Sequence, residues 1–219
     1  MSSTPTREVH CTDGVAWLRA QQFDEGDAIV TSLPDSSEVP GLGFEGWRRW
    51  FIETSALICQ QLAPNGVAVF YQTDVKREGT WVDKGFLVSL GAEQAGAACL
   101  WHKVTCRAPA GTITFGRPAY AHLVCFSRGL RLEKGQSFAD VLPRLGEMTW
   151  ARAMGLEACH AIAKFLVRDT KTTRVIDPFC GVGTMLAVAN QHGLNAVGVE
   201  LSPKRAAKAR ELTLRPHQS

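Results

Sequence analysis

Four short segments of this chain carry residue types that can do chemistry together. The first is Asp177-Pro178-Phe179-Cys180-Gly181-Val182-Gly183-Thr184, which follows the apolar pair Val175-Ile176. It reads as a buried strand, a glycine-rich turn and a helix start. Such a turn lets backbone N–H groups approach an anionic group at the helix N-terminus. The second is Glu200, at the end of the apolar run 195–199. An acid at that place can hold a ribose through its hydroxyls. Together these two mark a site for a nucleoside-bearing cofactor, built from Asp177, Phe179, Cys180, Gly181, Gly183, Thr184, Glu200 and the adjoining Leu201. The third segment is Asp13, and the fourth is Ser32-Leu33-Pro34-Asp35.

Each of these segments follows a predicted strand. Residues 8–11, 27–31, 67–71, 174–177 and 196–200 are short apolar or β-branched runs. Helical patterns occupy 15–22, 47–62, 80–90, 148–167, 184–192 and 203–212, the last with Pro203 in its first turn. Residues 97–106 and 119–127 suit an antiparallel hairpin with a long Gly/Pro-punctuated connection, and 128–146 reads as loop. Alternating strands and helices predict an α/β fold, a doubly wound and mostly parallel Rossmann-like sheet with an antiparallel hairpin strand. Sheets of this kind bind ligands beyond the carboxyl ends of their strands. Asp13, Ser32–Asp35, the 177–184 turn and Glu200 should therefore meet on one rim.

With 219 residues the chain fits one α/β domain spanning 1–219, with 107–146 as a substrate-facing loop region. The formal charge of +3 is too mild to name a partner by itself. Seven cysteines, an odd number with no C-x-x-C pair, look like reduced thiols of a cytoplasmic protein, and the histidines show no metal-type spacing. The expectation is no metal, no secretory signal and no membrane span.

The 177–184 segment resembles motif I of class I, Rossmann-like S-adenosylmethionine-dependent methyltransferases. Its Asp-Pro-Phe-Cys-Gly form is similar to that of the nucleic-acid amino-methyltransferases. The resemblance implies S-adenosyl-L-methionine as cofactor, Glu200 as the ribose acid and Asp13 as the acid that contacts the adenine amine. It also places Ser32, Leu33, Pro34 and Asp35 where the family holds its target amine. The adenine acid and the target motif here precede motif I, which resembles the circularly permuted order of one class of DNA amino-methyltransferases. Two departures stand out. Asp35 replaces the family's aromatic, and 148–155 replaces its His-Pro-Thr-x-Lys-Pro segment.

These departures, with no separate target-recognition domain, shift the expected substrate from DNA to RNA, with tRNA as the first guess. The expected reaction is methyl transfer to a base nitrogen, with Asp35 as proton acceptor. DNA N6-adenine or N4-cytosine methylation is the first alternative, and a non-catalytic cofactor-binding scaffold for a partner protein the second; a homodimer is also compatible. Bland readings stay open beside these. Asp13 is equally a helix cap, and Ser32–Asp35 an ordinary turn. Trp47-Arg48-Arg49-Trp50 is either a base-stacking, phosphate-binding stretch or core tryptophans with a solvated face. Arg48, Arg49, Arg107 and Arg117 are the candidate substrate contacts. Trp150 and Arg152 are further candidates to touch cofactor or substrate.

Overall fold

The computed structural model describes residues 4–215. In chain order the elements are β1 (Arg7–His10), α1 (Gly14–Arg19), β2 (Asp27–Thr31), α2 (Gly43–Gln61) and β3 (Val67–Gln72). Then come β4 (Val75–Arg77), β5 (Thr80–Val82), α3 (Lys84–Gln94), β6 (Ala98–Cys106), β7 (Tyr120–Ser127) and β8 (Val141–Leu142). The chain closes with α4 (Leu156–Asp169), β9 (Arg174–Asp177), α5 (Thr184–Gln191), β10 (Asn195–Val199) and α6 (Pro203–Glu211).

Eight strands form one sheet in the order β1-β10-β9-β2-β3-β7-β6-β8. The pairings from β1 to β3 are parallel, and β7 runs antiparallel to both β3 and β6. The last two strands of the chain thus lie between the first two. Side-chain alternation sends neighbouring residues of one strand to opposite faces. On β2, Ala28 and Val30 join a core under α4, α5 and α6, whereas Ile29 joins a second core under α1, α2 and α3. On β3, Val69 and Tyr71 face the first core, and Ala68 and Phe70 the second. Helices cover both faces, so the parallel strands at the centre are buried, as their continuous apolar runs require.

Three expectations need correction. The helix expected over 80–90 begins at Lys84, because Asp83 caps it by accepting from the Phe86 N–H at 2.8 Å. Residues 75–82 instead form the β4–β5 hairpin, turned at Glu78 and Gly79, both at positive φ. The helix expected from 148 begins only at Leu156. A Cβ on Gly155 would lie 2.2 Å from the Leu145 carbonyl oxygen, so the chain enters this helix pressed against the preceding loop. Residues 148–155 stay irregular as a result. The loop over 128–146 also contributes β8, a two-residue edge strand beside β6. None of the seven cysteines is bonded to another. Among the described residues no helix is long and apolar enough to cross a membrane.

Candidate functional site

β1, β10, β9 and β2 are parallel neighbours, so their carboxyl ends share one edge of the sheet. Asp13, Glu200, Asp177 with its turn, and Ser32 follow those ends in the same order. They line a cavity of about 250 Å³. The rim expected from the strand pattern is present.

Close backbone approach shapes this cavity. A Cβ on Gly14 would sit 2.2 Å from the Pro178 carbonyl oxygen, so only glycine lets the loop after β1 lie against the 177–184 turn. Gly183 has φ +84° and packs on Ala209, a conformation and a space that exclude larger side chains. Asp13 caps α1, accepting from the Ala16 N–H at 2.7 Å, and also lines the cavity, so the capping and ligand readings are compatible. Phe179 meets Trp50 edge-on at 5.9 Å between ring centroids, and both contribute to an aromatic wall.

The carboxylates here differ. Glu200 is buried, and its Oε1 accepts from the Ser202 N–H at 2.7 Å and from Arg205 at 2.6 Å. These bonds fix the carboxylate through one oxygen, and no hydrogen bond occupies Oε2 among the described residues. Asp177 is 2% exposed and accepts from the Thr31 hydroxyl at 2.7 Å and the Phe179 N–H at 3.1 Å. It makes no ion pair among the described residues. Burial raises its carboxyl to about 7, against these two bonds, with Glu200 adding repulsion.

A smaller pocket, of about 50 Å³, adjoins the cavity. The two share Ser32, Leu33, Glu38, Arg152 and Ala153. An ion pair between Arg152 and Glu38 ties residues 148–155 to the loop after β2 at this junction. Beyond it stand Asp35, Tyr71, Thr73, Lys84, Arg107 and Arg117. Lys84 is 4% exposed and donates to Asp35 Oδ1, while Arg117 donates to Asp35 Oδ2 at 3.2 Å. Burial pulls the Lys84 ammonium below its ordinary range, with Asp35 acting the other way. Pro34 turns the chain here, and its carbonyl accepts from the indole N–H of the fully buried Trp47 at 3.0 Å.

No protein-family model and no curated relative matches this sequence. Solved structures do match in fold. A protein from Thermus thermophilus described as a putative DNA modification methylase, complexed with S-adenosyl-L-methionine, superimposes with a TM-score of 0.71. It is 21% identical over 94% of this chain and 93% of that one. The PvuII cytosine-N4-specific DNA methyltransferase reaches 0.73 at 14% identity, covering 99% of this chain and 89% of that one. The complex of M1.HpyAVI with S-adenosylmethionine reaches 0.61 at 14% identity over 94% and 98% of the two chains. This chain has the fold of the S-adenosylmethionine-dependent methyltransferases.

Within that methyltransferase fold, the residues singled out from sequence divide as follows. Asp13, Asp177, Phe179, Cys180, Gly181, Thr184, Glu200 and Leu201 all line the larger cavity, Leu201 from an exposed position. Gly183 stands behind the turn against α6 rather than on the cavity wall. Ser32 and Leu33 line both spaces, Pro34 the larger and Asp35 the smaller. Arg107 and Arg117 reach the smaller pocket. Arg48 and Arg49 do not. Arg48 lines a separate groove beside the β4–β5 hairpin, and Arg49 is exposed on α2. Of the two tryptophans beside them, Trp47 is core and Trp50 lines the cavity. Trp150, whose ring covers Gly181, and Arg152 both line the larger cavity.

Sequence reasoning missed Glu38, Tyr71, Thr73, Lys84 and Arg205, which carry no motif. It also missed a grouping of Asp74, Asp83 and His122, whose ligand-type atoms lie within 4.8 Å of one another. Protein hydrogen bonds account for this grouping. Asp74 accepts from the Lys84 N–H at 2.8 Å and pairs with His122 at 3.0 Å, while Asp83 caps α3.

Proposed function

We propose that the protein is a methyltransferase that moves a methyl group from S-adenosyl-L-methionine to the exocyclic amine of a nucleic-acid base, with DNA as the substrate class. The observation that carries this reading is the junction at Ser32 and Leu33, where a cavity fitted to a nucleoside-bearing donor opens onto a second, polar pocket. The donor fits the residues present. Glu200 has a carboxylate oxygen to offer a ribose diol, Gly14 and Gly181 let the loop after β1 and the Trp150 ring close on the 177–184 turn that lines the cavity, and Phe179 and Trp50 form an apolar wall. The permuted motif order is supported by β9 and β10 lying between β1 and β2 in the sheet.

When bound, the donor supplies an electrophilic methyl on a sulfonium. Glu200 and the 177–184 turn would hold the donor, and transfer would make one N–CH₃ bond for the S–CH₃ bond broken, leave that electron pair on a thioether sulfur and release one proton from the nitrogen. The chain's contribution is alignment and exclusion of water. Ser32 Oγ and the Leu33 carbonyl accept from the amine N–H bonds, drawing the nitrogen lone pair towards the methyl. Asp35 fits the proton-acceptor role poorly, since Lys84 and Arg117 already hold both its oxygens. Its place is structural, keeping two cations in the pocket.

The sequence pointed to RNA. The likeness instead lies with the DNA enzymes named above, which favours DNA. A duplex target must be unstacked to bring its amine to Ser32. The test is transfer from methyl-tritiated donor to unmethylated genomic DNA, bulk tRNA and protein in parallel. Label in DNA is expected. Label confined to tRNA would move the substrate class, and label in none of them would overturn the methyltransferase reading.

A further inference from the structure

We propose that the smaller pocket selects a cytosine-type ring, a 4-aminopyrimidine, over the 6-aminopurine of adenine, reading the ring carbonyl with Tyr71 and Arg107. This rests on the base-methylating reading above and names its substrate.

Donors dominate the pocket. Lys84, Arg107 and Arg117 donate only, and Asp35 is taken up by Lys84 and Arg117. Tyr71 is 4% exposed, and its hydroxyl is buried without a hydrogen-bond partner. The Arg107 guanidinium and the Gly155 amide, both donors, favour the ionised phenol, and neither offers its hydrogen an acceptor. Burial nevertheless outweighs them and pushes the phenol up to about 12, so it stays protonated and able to donate. Arg107 makes no ion pair among the described residues.

A ligand that completes this pocket brings acceptors. Cytosine has a carbonyl oxygen and an adjacent ring nitrogen on the edge that carries its amine. Adenine has no carbonyl, and the position beyond its N1 is a C–H. Placing that C–H against a buried phenol and a guanidinium leaves both donors unpaired, which is the strongest form of discrimination a small pocket has.

The experiment treats unmethylated genomic DNA with the full-length protein and labelled donor, digests it, and resolves the methylated nucleosides by mass spectrometry. Label in N4-methyldeoxycytidine is expected. Tyr71→Phe, which removes one oxygen and no packing, should slow transfer to cytosine about tenfold while donor affinity stays within about twofold. Label in N6-methyldeoxyadenosine would overturn the selection while sparing the base-methylating reading. Unchanged kinetics in Tyr71→Phe would remove Tyr71 from it. No labelled nucleoside at all would overturn both.

Discussion

The two adjoining spaces are built in opposite ways. Backbone makes the larger cavity: parallel strand ends, a glycine turn and a glycine contact, with acids set at strand tips. Its deepest carboxylate, Asp177, has no cation beside it and is held by a hydroxyl and an N–H. Side chains make the smaller pocket, brought from β3, α3, the 107–118 connection and the loop after β2. Its carboxylate, Asp35, is clamped between two cations. The first arrangement suits a fixed ligand recognised by shape. The second is a charge balance that single substitutions can retune, and a fold can vary it without touching the first.

Asp177 gives the largest expected effect, because its burial makes ionisation costly. Its folded-state pKa, about 7, lies above the ordinary 3.8. A raised pKa means that the folded state holds the proton more tightly. The stabilisation is full below pH 3.8 and is lost as pH rises through 7. Between pH 5 and 8 the ligand-free protein should lose about 3 kcal/mol from this group, roughly two pH units of differential binding. Asp177→Asn keeps the acceptor oxygen and cannot titrate. The difference in Tm between wild type and variant, measured across that window, should therefore shift steadily in favour of the variant. A flat difference would mean that Asp177 ionises freely and that the cavity is wetter than its burial implies.

Glu200 tests the same cavity at its rim. Glu200→Ala removes the carboxylate offered to the ribose and should weaken donor binding about 30-fold, ~2 kcal/mol for a charged hydrogen-bond acceptor. Arg205, left without it, is half exposed and is rehydrated, so Tm should move little. Isothermal titration with the demethylated donor product checks this. An unchanged Kd would sink the ribose assignment, and a collapse of Tm would show that Glu200 serves packing rather than binding.

The contrast also explains what was legible in the sequence. Strand ends and the glycine turn are local: a few consecutive residues dictate β9, the turn and α5, so the cavity's wall was readable from Asp177–Thr184 and Glu200. Which strands neighbour one another was not legible in any local run; only the resemblance to a permuted motif order bore on it. Tyr71 and Lys84 were not readable as site residues, because in sequence one is the next aromatic of a buried strand and the other opens a helix. The parallel β2–β3 pairing and the Asp83 cap bring them to the pocket that Asp35 lines. The late start of α4 is hidden for a similar reason. The helical period runs through 148–155, and what stops the helix is contact between Gly155 and Leu145, residues far enough apart that no local pattern records it.

Asp35 yields the smallest effect and the sharpest test of the second arrangement. Asp35→Ala strips the counter-charge from Lys84, which is almost fully buried and cannot be rehydrated in place. Breaking a fully buried pair costs several kcal/mol, and because Asp35 is itself partly open to solvent, about 1–2 kcal/mol is expected here. That corresponds to a fall in Tm of a few degrees at this chain length. Replacing both partners, Asp35→Leu with Lys84→Met, should recover most of the loss, since two apolar side chains leave no buried charge. Donor affinity should stay within about twofold in the single and the double variant, because neither residue lines the larger cavity. If the double variant is no more stable than Asp35→Ala, the clamp is not what holds the loop after β2. If Asp35→Ala loses donor binding, the two spaces are one site, and the division between a backbone-built and a side-chain-built half fails.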